Sequence, residues 1–212
     1  MPAQQIPLAL PVDPSMGEDD FLITQSNQTA VVQLNNHDTL LLLGPKGTGK
    51  SHLARIWQKR HKATLFDGMN VATLNSAVLW EDADRSAWNA QTQQNAFHLL
   101  NSAKEKQFPL LITATTPPAQ WPLTLADLRS RLLAVSVAQM EMPDDMLVAG
   151  LLLKHFKDRQ LRVSEEVLNY ILPRIARDGA VIERFVKQLD EASLAQTRAI
   201  TVPLVKTALD LL

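Results

Sequence analysis

The sequence predicts an α/β fold in which a five-stranded parallel sheet is followed by a small all-helical domain. Between residues 40 and 139, short apolar runs alternate with longer helical patterns, an order typical of parallel sheets because parallel strands require long crossover connections. After Pro143 the strand-like runs stop and only helical patterns continue. With 212 residues, of which 46% are hydrophobic and 20% charged, the chain can bury a sizeable core.

These patterns divide the chain into three predicted parts. Residues 1–20 contain four prolines, which suit an extended arm better than a helix or a central strand. Residues 21–141 are predicted to form the α/β domain, and residues 142–212 the helical domain. Pro143 and the acidic residues after it mark the start of the first helix of that second domain.

The individual elements follow from local patterns. Strands are predicted where β-branched and other apolar residues form short runs, and helices where apolar residues recur with helical spacing. Ser164 is a predicted N-cap, with Glu165 and Glu166 in the favourable first turn. The predicted strands are residues 40–43, 64–66, 78–80, 110–114 and 133–137, and the predicted helices of the second domain are 144–159, 165–177, 180–197 and 203–211.

Charge and composition exclude several classes of protein. The formal net charge is -1, so the chain lacks the basic excess with which duplex-binding proteins neutralise phosphates. Cysteine is absent, which removes disulfides, thiol nucleophiles and thiolate metal sites. No secretory signal or membrane-spanning apolar stretch is visible. We therefore expect a cytoplasmic protein with no membrane role and no direct contact with DNA.

A glycine-rich motif follows the first predicted strand and leads into a helical pattern at residues 51–59. It matches G-x-x-x-x-G-K-[ST]. Its glycines let backbone N–H groups turn toward phosphate oxygens, and the start of the next helix adds positive field. The motif predicts a site for ADP or ATP, with Lys50 on the outer phosphates and Ser51 on Mg²⁺. The predicted site comprises Gly44, Pro45, Lys46, Gly47, Thr48, Gly49, Lys50, Ser51 and the following His52.

Two adjacent carboxylates end the third predicted strand. Glu81 and Asp82 follow an apolar run and are therefore expected at the sheet edge where α/β proteins bind ligands. We assign Glu81 to Mg²⁺ and Asp82 to the attacking water, because phosphoryl transfer depends on positioning and charge neutralisation. The alternative is that the two acids cap the next helix.

Taken together, these motifs resemble the AAA+ domain of the replication initiator DnaA and, more closely, the shorter Hda proteins (HdaA in some bacteria) that inactivate it. The resemblance covers nearly the whole chain. It implies that Phe21 and Leu22, with the nearby Ser26 and Asn27, lie beside the adenine. It also implies that residues 110–118 are the sensor I strand and its continuation, with Thr115 as the sensor I residue.

The same resemblance assigns two arginines. The segment Asp127-Leu128-Arg129-Ser130-Arg131-Leu132 is similar to the arginine-finger box, which implies that Arg131 acts in trans on ATP held by a neighbouring subunit. The segment Ile175-Ala176-Arg177-Asp178 is similar to the sensor II segment and places that nucleotide-contacting arginine on Arg177. For both residues the alternative is a solvated or salt-bridged surface arginine.

The N-terminal arm carries a further resemblance. Gln5-Ile6-Pro7-Leu8-Ala9-Leu10 is similar to the short peptide with which Hda proteins bind the sliding clamp. Gln5, Ile6, Leu8 and Leu10 are therefore the predicted clamp-binding residues, because apolar side chains on an extended arm can fill pockets on a partner. The alternative is that the arm packs on its own domain.

The resemblance implies a regulator of replication initiation with two protein partners. Docked on the clamp, it would stimulate hydrolysis of DnaA-bound ATP, contacting DNA only indirectly, and it leaves room for a homo-oligomer. Glu81 replaces the aspartate usual in DnaA, so weak or absent intrinsic ATPase activity is expected. The chain also ends at Leu212, which leaves no room for the DNA-binding domain of DnaA.

Two other functions are compatible with the motifs. An autonomous ATPase of the helicase-loader type would use Glu81 and Asp82 for its own turnover. A small-molecule P-loop kinase would share the glycine-rich motif, but the sequence offers no acceptor site and its helical second domain suits AAA+ proteins better.

Overall fold

The computed structural model describes residues 21–69, 75–196 and 199–211. The predicted α/β fold with a five-stranded parallel sheet is confirmed. By their internal contacts, the described residues divide into a core domain, residues 21–142, and a lid domain, residues 143–211. No described helix is both long enough and apolar enough to cross a membrane.

The sheet belongs entirely to the core domain. Its order is β2-β3-β4-β1-β5, so the first strand lies between the two last strands of the chain. Leu41 pairs with Ile112 on one side and with Val137 on the other. The strands are β1 (Thr39–Leu43), β2 (Thr64–Leu65), β3 (Val78–Trp80), β4 (Leu110–Ala114) and β5 (Ser136–Gln139).

Eight α-helices are present in the described ranges. Four belong to the core domain, and two short 3-10 turns, Ala83–Arg85 and Pro118–Gln120, follow β3 and β4 respectively. The core helices are α1 (Gln28–Asn36), α2 (Lys50–His61), α3 (Ala90–Lys106) and α4 (Ala126–Leu133), and the lid helices are α5 (Asp145–Asp158), α6 (Glu165–Ile171), α7 (Gly179–Gln196) and α8 (Val202–Leu209).

Alternation along the strands gives the core domain two apolar layers. Leu41 points into one layer, whereas Leu40 and Leu42 point into the other, because successive side chains of a strand face opposite sides of the sheet. The first layer contains Trp80, which is buried in the sheet, and the second contains Trp57 of α2. Both faces of β1 are therefore covered, as expected for a central parallel strand.

The lid domain has an apolar core of its own. Its buried residues run from Val148 to Ala208, with Phe156 and Phe185 at 1% and 0% exposure. The side chains of Asp144 and Ser164 accept hydrogen bonds from the backbone N–H groups of Leu147 and Val167 and so cap α5 and α6. The predicted helical domain is therefore built around its own buried face.

The fifth strand lies later in the sequence than predicted. Leu133, placed in a strand at 133–137, is the last residue of α4, and β5 begins at Ser136. The error arose because the apolar run from Leu132 to Val135 includes the end of α4 and the residues that lead into β5, and no polar residue separates them. A continuous apolar run of this length does not distinguish helix from strand.

Two helices also differ from the sequence prediction. The helix predicted over 165–177 ends at Ile171, because Pro173 has no backbone N–H with which to continue the helical hydrogen bonds. Arg177 therefore lies outside α6 and just before α7. The first helix, α1, was not predicted, since its sequence QTAVVQLNN mixes strong helix formers with Thr, Val and Asn residues of lower helix propensity.

Candidate nucleotide-binding site

The glycine-rich motif forms a tight loop between β1 and α2. Gly47 and Gly49 have φ values of 81° and 90°, a left-handed conformation that glycine adopts without steric cost. At Gly44, a Cβ atom would collide with the carbonyl oxygen of Met140. The loop is therefore shaped as a phosphate cradle, with the N-terminus of α2 directly behind it.

Lys50 is buried at the base of this loop with 7% exposure. Its Nζ donates to the carbonyl oxygens of Gly44 and Pro45 at 2.7 and 2.8 Å. Burial lowers the pKa of Lys50, and the charges of Asp82 and Asp84 act in the opposite direction. The lysine is thus held at the loop, with two carboxylates close enough to favour its charged form.

A short segment before α1 lies beside the loop. Cε2 of Phe21 is 3.7 Å from the position that a Cβ on Gly49 would occupy. The rings of Phe21 and His52 meet edge to face, with centroids 5.3 Å apart. The predicted residues Phe21 and His52 are therefore brought together at the phosphate loop, and their aromatic faces suit a flat apolar base.

Hydrogen bonds hold this segment before α1 in place. The Asn27 side chain accepts from the Thr24 N–H at 2.9 Å and donates to the Leu22 carbonyl at 2.8 Å. The backbone N–H of Glu141, just after β5, donates to the Ser26 carbonyl. The segment is thus tied both to itself and to the end of the sheet.

The predicted acidic pair lies at the carboxyl end of β3. Asp82 has a φ of 46°, and its N–H donates to Oγ1 of Thr113 on the adjacent strand β4 at 2.9 Å. Its carboxylate faces Arg85 at 3.7 Å, with both side chains about half exposed. Glu81 and Asp82 thus occupy the sheet edge, and their separate roles on Mg²⁺ and water remain predictions.

Mg²⁺ coordination fits the residues at this edge without a dedicated cage. Within the described ranges, no three His, Cys, Asp or Glu side chains gather closely enough to hold a metal ion. Mg²⁺ bound with a nucleotide normally takes only one or two protein ligands, the rest being phosphate oxygens and water. Ser51, exposed at the start of α2, and Glu81 would be those protein ligands.

Asp84 is a site residue that the sequence prediction missed. Its Oδ2 accepts hydrogen bonds from the backbone N–H groups of Thr115 and Thr116 at 3.0 and 3.1 Å. The turn after β3 is thereby joined to the turn after β4, where the predicted sensor I residue Thr115 lies. The signal available in the sequence was a third acid two residues beyond Asp82, which suggests a capping role equally well.

The predicted finger residue Arg131 lies in the last turn of α4 and is exposed. Its guanidinium carbon is 4.9 Å from the centroid of the Phe97 ring on α3, a cation–π contact that orients the charge without neutralising it. Among the described residues, no carboxylate lies within salt-bridge distance of Arg131. The role of Arg131 as a finger remains a prediction, and the structure gives the exposed guanidinium a contact with Phe97.

Arg177, the predicted sensor II residue, has partners inside the lid domain. Its guanidinium donates to the carbonyl oxygen of Pro143 at 3.0 Å and to the carboxylate of Asp145. Both partners lie at the start of α5. The role of Arg177 at a nucleotide remains a prediction, and these contacts show what holds the side chain within its own domain.

The predicted clamp-binding residues lie outside the described residues. Gln5, Ile6, Leu8 and Leu10 belong to residues 1–20, as does the whole of the predicted arm. The clamp-binding assignment therefore rests on the sequence alone.

Comparison with known proteins supports the family resemblance of the lid. Residues 144–209 match the family model described as Hda, lid domain. An uncharacterised protein of Haemophilus influenzae is 29% identical over 185 residues, and that match covers 79% of this chain and 80% of the relative.

Solved structures match the fold of most of the chain. Domain III of the replication initiation protein DnaA from Thermotoga maritima matches with a TM-score of 0.77 and 17% identity, over 95% of this chain and 98% of that one. AMPPCP-bound DnaA from Aquifex aeolicus matches with a TM-score of 0.70 and 18% identity, over 88% of this chain and 68% of that one. The AAA+ fold is therefore confirmed.

Proposed function

We propose that this Hda-type, DnaA-related AAA+ protein regulates replication initiation by binding ADP or ATP with Mg²⁺ and supplying Arg131 to ATP held by DnaA. The lid match and the DnaA-like fold support the general role in replication control. The finer role rests on the chemistry of the site. Bound Mg²⁺ would neutralise charge on the phosphate oxygens, with Ser51 and Glu81 as its protein ligands.

The observation that carries this proposal is the contrast between two cations. Lys50 is buried at the phosphate loop, where it serves a nucleotide bound by this chain. Arg131 is exposed, rests on the Phe97 ring and has no carboxylate partner among the described residues. An arginine finger adds fixed positive charge to phosphoryl transfer in a neighbouring subunit, an effect of about 10³ to 10⁵ in rate.

Docking on the sliding clamp is the second part of the proposal. Gln5, Ile6, Leu8 and Leu10 would bind a clamp pocket, so that DNA is approached only through the clamp. Such tethering raises the effective concentration of the finger near DnaA without any new contact at the active site. Omitting the clamp should therefore reduce the stimulation.

The test is phosphate release from DnaA preloaded with ATP, in the presence of clamp-loaded DNA. Wild-type protein should accelerate release, and Arg131→Ala should lose the acceleration while keeping nucleotide affinity. Lys50→Ala should lose nucleotide binding. Arg129→Ala, a change to an exposed arginine of the same helix, serves as the matched control and should behave like wild type.

An autonomous ATPase is the second candidate, because Glu81 and Asp82 lie at the same sheet edge as the phosphate loop. Steady ATP hydrolysis by the isolated protein, lost in Asp82→Asn, would favour it. Acceleration of DnaA hydrolysis that persists in Arg131→Ala would overturn the finger assignment in the same set of measurements.

A further inference from the structure

Gln93 of α3 is a buried amide aimed at the start of α4. Its side chain is only 3% exposed. Oε1 accepts hydrogen bonds from the backbone N–H groups of Thr124 and Leu125 at 2.8 and 2.9 Å. Nε2 donates to the Trp88 carbonyl and to Oγ1 of Thr124, each at 3.1 Å. Every polar atom of the Gln93 side chain is thus engaged.

The position of these contacts matters because α4 has no cap of its own. Leu125 is the N-cap residue of α4 and offers no side-chain hydrogen bond to the first turn. Serine, threonine, aspartate or asparagine normally fixes a helix start at this position. Here the chain entering the helix is held instead by an acceptor from another helix, 32 residues earlier in the sequence.

The helix held in this way carries Arg131. Leu128 and Leu132 of α4 are 0% and 1% exposed and fix which face of the helix is buried. At the far end of α4, Arg131 rests on Phe97, which lies one turn after Gln93 on α3. Residues four apart share one face of a helix, so the same face of α3 contacts both ends of α4.

We infer that Gln93 is a positioning residue for the Arg131 finger, and that its Oε1 sets where α4 begins and hence where the guanidinium lies. This inference rests on the proposed function. A rigid side chain network is the usual support of a precise functional group, and misplacement of such a group by about 1 Å can cost roughly 10²-fold in rate.

Substitutions at Gln93 distinguish the effect of its hydrogen-bonding groups from the effect of its side-chain volume. Gln93→Glu keeps an accepting oxygen but loses the donor Nε2, whereas Gln93→Met keeps a similar volume and loses both the acceptor and the donor. Gln93→Asn, one methylene shorter, is a milder variant should Gln93→Met fail to fold. Gln94→Met is the control, because Gln94 is the exposed neighbour on the same helix.

The first readout needs no partner. Amide hydrogen exchange at Thr124 and Leu125 in the isolated protein should become faster in Gln93→Met and Gln93→Asn, and should remain near wild type in Gln94→Met. Gln93→Glu should lie between them, because it keeps the acceptor but places a carboxylate oxygen against the Trp88 carbonyl. Unchanged exchange at both amides in Gln93→Met and Gln93→Asn would overturn the anchoring role, whatever the protein does in the cell.

The second readout is acceleration of hydrolysis by ATP-loaded DnaA. The acceleration by Gln93→Met should be at least about tenfold smaller than that by wild type, which is less than the loss expected for full misplacement of the finger. Its nucleotide affinity should stay within a few-fold of wild type. Gln93→Glu should retain more of the acceleration than Gln93→Met, because it keeps the accepting oxygen. Faster exchange with full acceleration would overturn the positioning role.

The two proposals fail in distinguishable ways. If wild type gives no acceleration, or Arg131→Ala gives full acceleration, the finger function fails, and the positioning of a finger by Gln93 fails with it, while exchange still decides the anchoring of α4. If Arg131→Ala abolishes acceleration and Gln93→Met does not affect it, the finger function stands and the inference about Gln93 is wrong.

Discussion

At Gly44 the backbone of the phosphate loop passes against the backbone of Met140, just beyond β5. The space that a side chain would need is already filled by a carbonyl oxygen, which cannot move as the end of a flexible side chain could. Packing at the sheet edge therefore requires the first glycine of the motif, apart from its predicted part in phosphate binding. Position 44 requires glycine because a Cβ atom would collide with the Met140 backbone, and not because of its φ angle.

We predict that Gly44→Ala destabilises the core domain by at least about 1–3 kcal/mol, the usual cost of overpacking a filled site. Urea unfolding, with and without ADP, measures this loss of stability. Gly179→Ala is the control, because a Cβ at Gly179 at the start of α7 meets nothing within 4 Å. Equal stability of Gly44→Ala and wild type would show that the Met140 backbone yields easily.

Among the elements, the segment before α1 depends most on a single side chain. Asn27 joins Thr24 to Leu22 through both ends of its amide and is only 3% exposed. The segment thereby keeps Phe21 beside Gly49. Without these bonds the aromatic ring would lose its fixed place at the phosphate loop.

We predict that Asn27→Ala costs about 1–3 kcal/mol through the buried polar groups it leaves unpaired, and that it weakens nucleotide affinity several-fold. Calorimetric titration with ADP checks the affinity, and Asn36→Ala, at the exposed end of α1, is the control. A loss of stability with unchanged affinity would separate Asn27 from the nucleotide.

Elements also show what the sequence could and could not predict. The phosphate loop followed from its motif, and the lid from the end of strand patterns after Pro143. The anchors Gln93 and Asp84 did not, because several glutamines and acids stand nearby and only packing decides which one turns inward. The start of β5 was misplaced for the related reason that Leu132 and Leu133 continue one apolar run through the end of α4.

For the molecule as a whole, a half-buried histidine gives the lid domain a pH response. Burial lowers the pKa of His155 on α5, against the influence of Glu183 on α7, which raises it. The folded lid binds this proton less readily than the unfolded chain does. Well above the ordinary histidine pKa of about 6.5 neither state binds it, so His155 does not lower the stability of the lid there. The loss of stability grows as the pH falls below that value, and it levels off below the pKa of His155 in the folded lid.

We predict that the lid unfolds at lower urea concentration at about pH 5.5 than at about pH 7.5, the interval across which histidine titrates. His155→Gln should reduce this difference, since glutamine does not titrate. Hydrogen exchange of amides in α5 and α7 measures the lid specifically. An identical pH dependence in His155→Gln would assign the effect to other groups.

The tryptophan cluster of the core domain has a practical consequence. Trp80 on β3 lies 5.6 Å from Trp88 and 6.5 Å from Trp121, and the last two rings stack at 5.3 Å. All four tryptophans of the chain fall between residues 57 and 121, whereas the single tyrosine, Tyr170, lies in the lid. Indoles this close share their electronic transitions, so near-ultraviolet circular dichroism and tryptophan emission form a built-in optical signal of the core domain. Because the single tyrosine absorbs within the band of the four tryptophans, this signal reports on the core domain and not on the lid.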